Sequence, residues 1–276
     1  ETAKNLMMII RLLAVTLTMI LPMQGMAEGS DQSGENNADI RICYESQPYP
    51  PYSMPSVGQS AELGSGGMLV DLITLATRQA QLQVQFVTSS WKRCIRNLEV
   101  GQVDAIFAAI WLPERERWGR FPKKDGQADR RRRLWSGSYH VYVSNNSKLN
   151  WNGATFEHLI YGISAPLGYV AEKKLRQLGA HSNNSYSPEE GFQVLAKGRL
   201  DGYVIDTAIF DGKFASLYSP QQIRKLSPPF IVADWYLPLS HQWVSQHPEK
   251  SERLWDAIGD IRRQQGERIY KHYLSR

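Results

Sequence analysis

The stretch Leu98-Glu-Val-Gly101-Gln-Val-Asp104 returns 97 positions later as Leu195-Ala-Lys-Gly198-Arg-Leu-Asp201, the pattern L-x-x-G-x-x-D. In both places a run with one apolar helical face stops at the glycine and an apolar, strand-like run follows. Glycine there supplies the left-handed residue that closes a helix. Three matching positions in seven are weak alone, because turn chemistry can produce them. Placed at the same helix-to-strand junction in two β-α-β stretches, they point to two similar halves. Two halves make a cleft, and clefts between domains bind small molecules.

The surrounding pattern supports an α/β chain with right-handed crossovers. Residues 40–44 read as a short strand. The following Gln47-Pro48-Tyr49-Pro50-Pro51-Tyr52 carries too many prolines for a helix or central strand and reads as an extended loop. Leu69, Leu72, Ile73 and Ala76 make one helical face within 68–80. Leu82, Val84 and Phe86 alternate with glutamines as a half-buried strand. A helix with Trp91, Ile95 and Leu98 on one side follows a serine cap, and 103–110 reads as one unbroken strand. In the second half, Ser187-Pro188-Glu189-Glu190 is a capping box opening a helix to Lys197, and 202–205 resumes as a strand. Further on, 235–244 reads as a strand and 248–264 as an amphipathic helix. The run Arg130-Arg131-Arg132-Arg133 reads as a solvated loop in preference to an anion-binding patch.

Lys4 and Arg11 precede an uncharged run, 12–23, and then Gly25-Met26-Ala27. That order describes a secretory signal peptide, 1–27, cleaved after Ala27; the alternative is an uncleaved anchor, disfavoured by Arg11 inside the apolar stretch. Residues 28–38 read as a disordered polar leader. Export changes the meaning of Cys43 and Cys94, the two cysteines present. In an oxidising compartment an even pair is expected to form a disulfide, with two separately buried thiols as the alternative. The 32 Lys and Arg against 27 Asp and Glu give a mild net charge of +5. Without clustering or aromatic interleaving, that excess does not make a nucleic-acid footprint.

No catalytic constellation emerges. The six histidines have no paired ligand spacing, and two thiols without matching histidines make no zinc site. Gly162-Ile163-Ser164-Ala165-Pro166 starts like a nucleophile elbow but has proline where the second glycine belongs. A binder without metal or cofactor is expected, not an enzyme.

Several ordered pieces resemble the bacterial extracellular solute-binding proteins of the polar amino-acid type, family 3. Tyr49-Pro50-Pro51-Tyr52 is similar to that family's loop after its first strand, and Gly67-Met-Leu-Val-Asp71-Leu to its following helix start. Ser90-Trp91 with Leu98-x-x-Gly101-x-x-Asp104, Pro113-Glu114-Arg115, and Gly198-Arg-Leu-Asp201-Gly-Tyr-Val-Ile-Asp206 continue the order. The resemblance spans Ile40 to Leu274. It implies the α/β type II periplasmic-binding fold, with a discontinuous first lobe (39–140 plus 234–276), a second lobe (141–233) and linker passes near 139–143 and 231–236.

The resemblance also implies roles. Arg115 would hold an anionic ligand group through its two-pronged fork, and Asp206 would accept from a ligand ammonium across the cleft. Tyr49, Tyr52 and Trp91 would form an aromatic wall, and Gly168 and Tyr169 a strand-to-helix turn whose N–H groups meet an anion. Leu112, Ala108, Ala109 and Tyr169 stand where the family places hydroxyl or threonine residues, so a ligand larger or more aromatic than a simple α-amino acid is expected. The implied partners are a small ligand and an inner-membrane ABC permease or a sensor protein, with a monomer in the periplasm. Glu45, beside the aromatic loop, is the one residue to test for a dehydratase-like activity.

Overall fold

The structure, a computed structural model, describes residues 38–54 and 63–274. The expected signal peptide, 1–27, and the leader up to residue 37 lie outside the described residues. Strand β1 (Ile40–Glu45) leads through the proline loop to helix α1 (Met68–Gln79), then β2 (Val84–Ser89), α2 (Trp91–Glu99), β3 (Ala105–Ile106) and β4 (Ala109–Ile110). A 3-10 helix (Pro113–Arg117), the hairpin β5 (Lys123–Lys124) and β6 (Gln127–Ala128), and a second 3-10 helix (Arg130–Arg132) precede the ten-residue β7 (Trp135–Ser144). The next elements are β8 (Asn150–Trp151), β9 (Phe156–Glu157), β10 (Ile163–Ser164), α3 (Val170–Gln177), α4 (Pro188–Ala196) and β11 (Gly202–Asp206). Helix α5 (Thr207–Ile209) runs into a π-helical turn (Phe210–Phe214). Strands β12 (Ile223–Lys225) and β13 (Ile231–Tyr236) and helices α6 (His241–Gln246) and α7 (Pro248–Leu274) complete the chain.

Strands β2, β1 and β3 form a parallel sheet in that order, as β-α-β crossovers require. Helix α1 buries Leu69, Leu72, Ile73 and Ala76, the face its spacing announces. Helix α2 buries Trp91, Cys94 and Leu98, so Cys94 takes the inward place expected of Ile95. That placement lets a disulfide join Cys94 to Cys43 on β1, with both residues fully buried.

The expected single strand over 103–110 is two strands in two sheets. Strand β3 pairs with β1, while β4 pairs with β13. Between them Ala108 takes a φ of 59°, a left-handed conformation that swings the chain from one sheet to the other. The second sheet has the order β10-β11-β7-β13-β4, with β12 also on β7. Its centre is the antiparallel pair β7 and β13, which sets Ile231 opposite Tyr139 and Trp235 opposite Trp135. Of the two stretches expected as linker passes, 139–143 and 231–236, only Tyr139 and Ile231 pair with each other; 135–138 pairs with 232–235, and 140–143 pairs with β11 and β12.

The capping box at Ser187 and Glu190 is formed, and Pro188 opens α4. Phe192 on α4 is fully buried among the rings of Tyr203, Phe210, Phe214 and Tyr142. The reading of 235–244 as a strand holds only to Tyr236. Ser240 accepts a hydrogen bond from the Trp243 backbone and caps α6, and this local bond outweighs the apolar alternation that suggested a strand. Helix α7 continues past the expected end at 264 to Leu274, because Ile269 and Tyr273 extend its buried face and Tyr273 donates to Asp71 on α1. The arginine run is ion-paired: Arg130 with Asp234, Arg131 with Asp129, and Arg132 with Glu252 and Asp256. Arg262 and Arg263 from α7 donate to the Arg131 carbonyl, so the run is a clamp onto α7. Among the described residues no helix is long and apolar enough to cross a membrane.

Candidate functional site

The proline loop is fixed onto the start of α1. The Met68 and Leu69 amides, which have no partner within the helix, donate to the carbonyls of Pro51 and Tyr52 at 2.9 and 3.0 Å. Tyr49 and Ser53 bridge the loop to itself. Gly67 makes this junction possible, with φ 96° and a backbone so close that an added Cβ would lie 2.6 Å from Ser53 Cα and the Tyr52 carbonyl oxygen. Gly67→Ala is expected to cost about 1–3 kcal/mol in denaturant unfolding, through backbone strain and overlap together. A midpoint equal to the parent's would show that the loop is not held this way.

The loop, the end of β1, the start of α2 and the paired strands enclose a cavity of about 60 Å³ of room for water centres. Tyr49, Tyr52 and Trp91, expected as an aromatic wall, all line it and are buried. Four residues that the sequence reading did not single out complete the enclosure: Tyr44, Phe107, Tyr139 and Trp235. Tyr44 stacks on Phe107 with centroids 5.2 Å apart, and Trp235 meets Tyr52 edge-on at 4.8 Å. Tyr139 and Trp235 belong to the paired strands β7 and β13, which thus supply part of the cavity wall. The indole N–H of Trp91 is buried with no hydrogen-bond partner among the described residues.

Arg115 lines the cavity, as expected. The short 3-10 helix places it half-buried over the Trp118 ring, and its guanidinium donates to the carbonyls of Ile110 at 3.1 Å and Gly168 at 3.2 Å. It has no ion pair among the described residues. Burial pushes its pKa down, and the attraction of Tyr139 and of the nearby Glu114 offsets this only in part, the sign of a cation held with too little water. A carboxylate placed there would relieve that imbalance.

Asp206 does not line the cavity and is only 1% exposed. Its carboxylate accepts from the Ser138 amide at 2.8 Å, from the Ala208 amide at 3.0 Å as the cap of α5, and from the Tyr52 phenol. Burial pushes it up to about 6 all the same. Gly137 on β7 leaves it room, since a Cβ there would stand 2.9 Å from Asp206 Oδ2 and 2.3 Å from the Trp235 ring. The carboxyl group that does line the cavity is Glu45, at the end of β1, where it accepts a hydrogen bond from the Tyr169 phenol. Burial pushes Glu45 up to about 7, against the downward pulls of that hydrogen bond and of Lys213.

Tyr169 is in the cavity as expected and meets Trp91 edge-on at 6.1 Å. Gly168 is not. Its N–H, expected to face an anion, donates to Glu172 at 2.6 Å, and its carbonyl serves Arg115. The early acidic residue of α3 has claimed the amide. No group of three or more His, Cys, Asp or Glu able to hold a metal occurs among the described residues.

The raised pKa of Glu45 fixes a pH dependence. A carboxyl group that is harder to ionise when folded favours the folded state below its ordinary value of 4.5, and this contribution disappears as pH rises through about 7. Asp206 acts in the same direction between 3.8 and about 6. Glu45→Gln is therefore expected to flatten the stability profile between pH 4.5 and 7 and to be relatively most stabilising above it. Urea unfolding across that range checks the expectation, and parallel profiles for the two proteins would contradict it.

Residues 40–132 match the sequence model of the bacterial extracellular solute-binding proteins, family 3. The resemblance to that family holds. No curated protein sequence matches the chain. Among solved structures, the GluR0 ligand-binding core from Nostoc punctiforme in complex with (L)-glutamate aligns at a TM-score of 0.66 and 13% identity, over 86% of this chain and 100% of that one. The arginine-, lysine-, histidine-binding protein ArtJ from Geobacillus stearothermophilus aligns at 0.64 and 14%, over 86% and 95%. The ancestral amino acid-binding protein AncCDT-1, a precursor of cyclohexadienyl dehydratase, aligns at 0.61 and 18%, over 85% and 94%. At such identities these likenesses establish the fold, the type II periplasmic-binding fold.

Proposed function

We propose that this protein is an exported solute-binding protein that holds an amino acid or amino-acid-like ligand between two lobes. The lobes are 39–140 plus 234–276 and 141–233, turning about the β7 and β13 pair. The observation that carries this reading is the half-buried Arg115 guanidinium, with no ion pair among the described residues, lining an aromatic cavity. In this reading Arg115 takes the ligand carboxylate. The Trp91 N–H and the Glu45 carboxyl group meet its polar groups, and Tyr49, Tyr52 and Tyr169 cover its apolar body. Asp206 acts as a positioning residue, tying β11 and α5 to β7 and to the Tyr52 phenol, and does not touch the ligand. The ligand docks on one lobe and closure buries it, shifting the population toward the closed form. The family's extracellular character and the expected signal peptide support a periplasmic location, a monomer, and delivery to an ABC-type importer. A sensor that receives the closed form is the alternative partner, and neighbouring genes for a permease and ATPase would separate the two.

A second reading rests on Glu45. A carboxyl group pushed up to about 7 inside the cavity suits general acid–base work near neutral pH, and a precursor of a dehydratase shares the fold. A thermal-shift screen of amino acids, oligopeptides and organic acids on the whole chain tests the first reading. One carboxylate-bearing class should raise the melting temperature while its decarboxylated analogues do not, and no shift from any compound would overturn it. Turnover of the ligand by the parent but not by Glu45→Gln, with binding kept, would establish the second.

A further inference from the structure

Adjoining the aromatic cavity at Arg115, Tyr169 and Val170, which line both, lies an open groove of about 740 Å³, bounded by α2, the 3-10 helix Pro113–Arg117 and α3. Its two sides come from opposite ends of the β7 and β13 connection. They meet through the Lys173–Glu114 ion pair and the Arg115–Gly168 hydrogen bond. The floor is apolar and half-buried: Ile95, Leu112 and Val170.

The rim is basic. Lys92 and Arg96 stand four residues apart on α2, and Arg117 stands on the 3-10 helix. All three are exposed and have no ion pair or side-chain hydrogen bond among the described residues. Like charges at that helical spacing repel. Of the acidic residues in the groove, Glu114 is engaged by Lys173, and Glu172 by Arg176, Ser185 and the Gly168 amide. Glu99 is the remaining one. Counting six basic and three acidic side chains, the groove carries +3.

The geometry points to this groove as a docking site for an acidic polypeptide segment of a protein partner. An apolar floor takes the segment's hydrophobic side chains, and the three unpaired cations take its carboxylates, the core-and-rim division of a protein interface. The three cations come from two elements bordering one open trough, an arrangement that suits an extended chain.

The test uses the full chain and a fluorescein-labelled peptide of repeated Glu-Glu-Leu, followed by fluorescence anisotropy at about 0.05 M and about 0.2 M salt. The peptide is expected to bind and to weaken as salt rises. The triple variant Lys92→Gln, Arg96→Gln, Arg117→Gln is expected to weaken it about tenfold, the combined effect of three exposed ion pairs. A control triple, Lys197→Gln, Arg199→Gln, Lys225→Gln, removes equal charge from exposed sites elsewhere and is expected to change binding less than about twofold. Melting curves establish that both triples fold. Absence of binding, equal weakening by both triples, or binding of inorganic pyrophosphate without the peptide would each overturn the proposal.

Discussion

Arg115→Met is expected to weaken ligand binding about a hundredfold or more while leaving the melting temperature of the unliganded protein unchanged or raised. The asymmetry follows from its surroundings. Without ligand, its donors reach only two backbone carbonyls, and burial opposes its charge. Removing the charge therefore removes a desolvation cost from the free protein and the principal anion partner from the complex. Calorimetric titration with the ligand of largest thermal shift gives the first quantity, and differential scanning calorimetry the second. Methionine keeps an apolar stem over Trp118, so the loss of affinity reports on charge and not on packing. If affinity survives, the carboxylate binds elsewhere and Arg115 serves only to hold the Gly168 turn.

The Cys43→Ala, Cys94→Ala double variant is expected to lose about 4 kcal/mol of stability in the chain-entropy account, because the bridge closes a loop spanning 51 positions. Deleting two buried sulfurs adds to the loss. The consequence for the site is specific. Cys43 lies two residues before Glu45, and Cys94 three residues after Trp91, so the bridge holds two cavity walls in register. Urea unfolding of oxidised, reduced and double-variant protein measures the effect. Reduced and oxidised proteins with the same midpoint would show that the bridge contributes nothing.

What the sequence disclosed, and what it hid, follows from how local each feature is. The proline loop, the α1 face, the capping box at Ser187 and the cysteine pair rest on residues close together in the chain or on compartment chemistry, and each is present. The break at Ala108 was not legible, because an apolar run reads the same whether it stays in one sheet or crosses to another. Only the β4 partner, β13, more than a hundred residues away, decides it. The end of the strand at Tyr236 could have been read from Ser240, a helix cap three residues before Trp243.

The site divided in the same way. Tyr49, Tyr52, Trp91, Arg115 and Tyr169 came from motif order and line the cavity, whereas Asp206 and Gly168 came from the same order and do not. Asp206 ends a strand that pairs with β7 and caps a helix, two backbone demands that occupy its carboxylate. Gly168 lost its amide to Glu172, four positions on. Tyr139 and Trp235 went unnoticed because they lie on β7 and β13, strands far apart in the chain that only three-dimensional pairing brings to one wall.

One observation bears on the central idea more directly than any variant: a crystal structure of the protein with the ligand of largest thermal shift. It should place that ligand between the proline loop and the Tyr169 turn, its carboxylate bonded by both prongs of the Arg115 guanidinium and Asp206 still on the Ser138 amide. A ligand seated outside the aromatic enclosure, or Arg115 still spending both prongs on the Ile110 and Gly168 carbonyls, would contradict it.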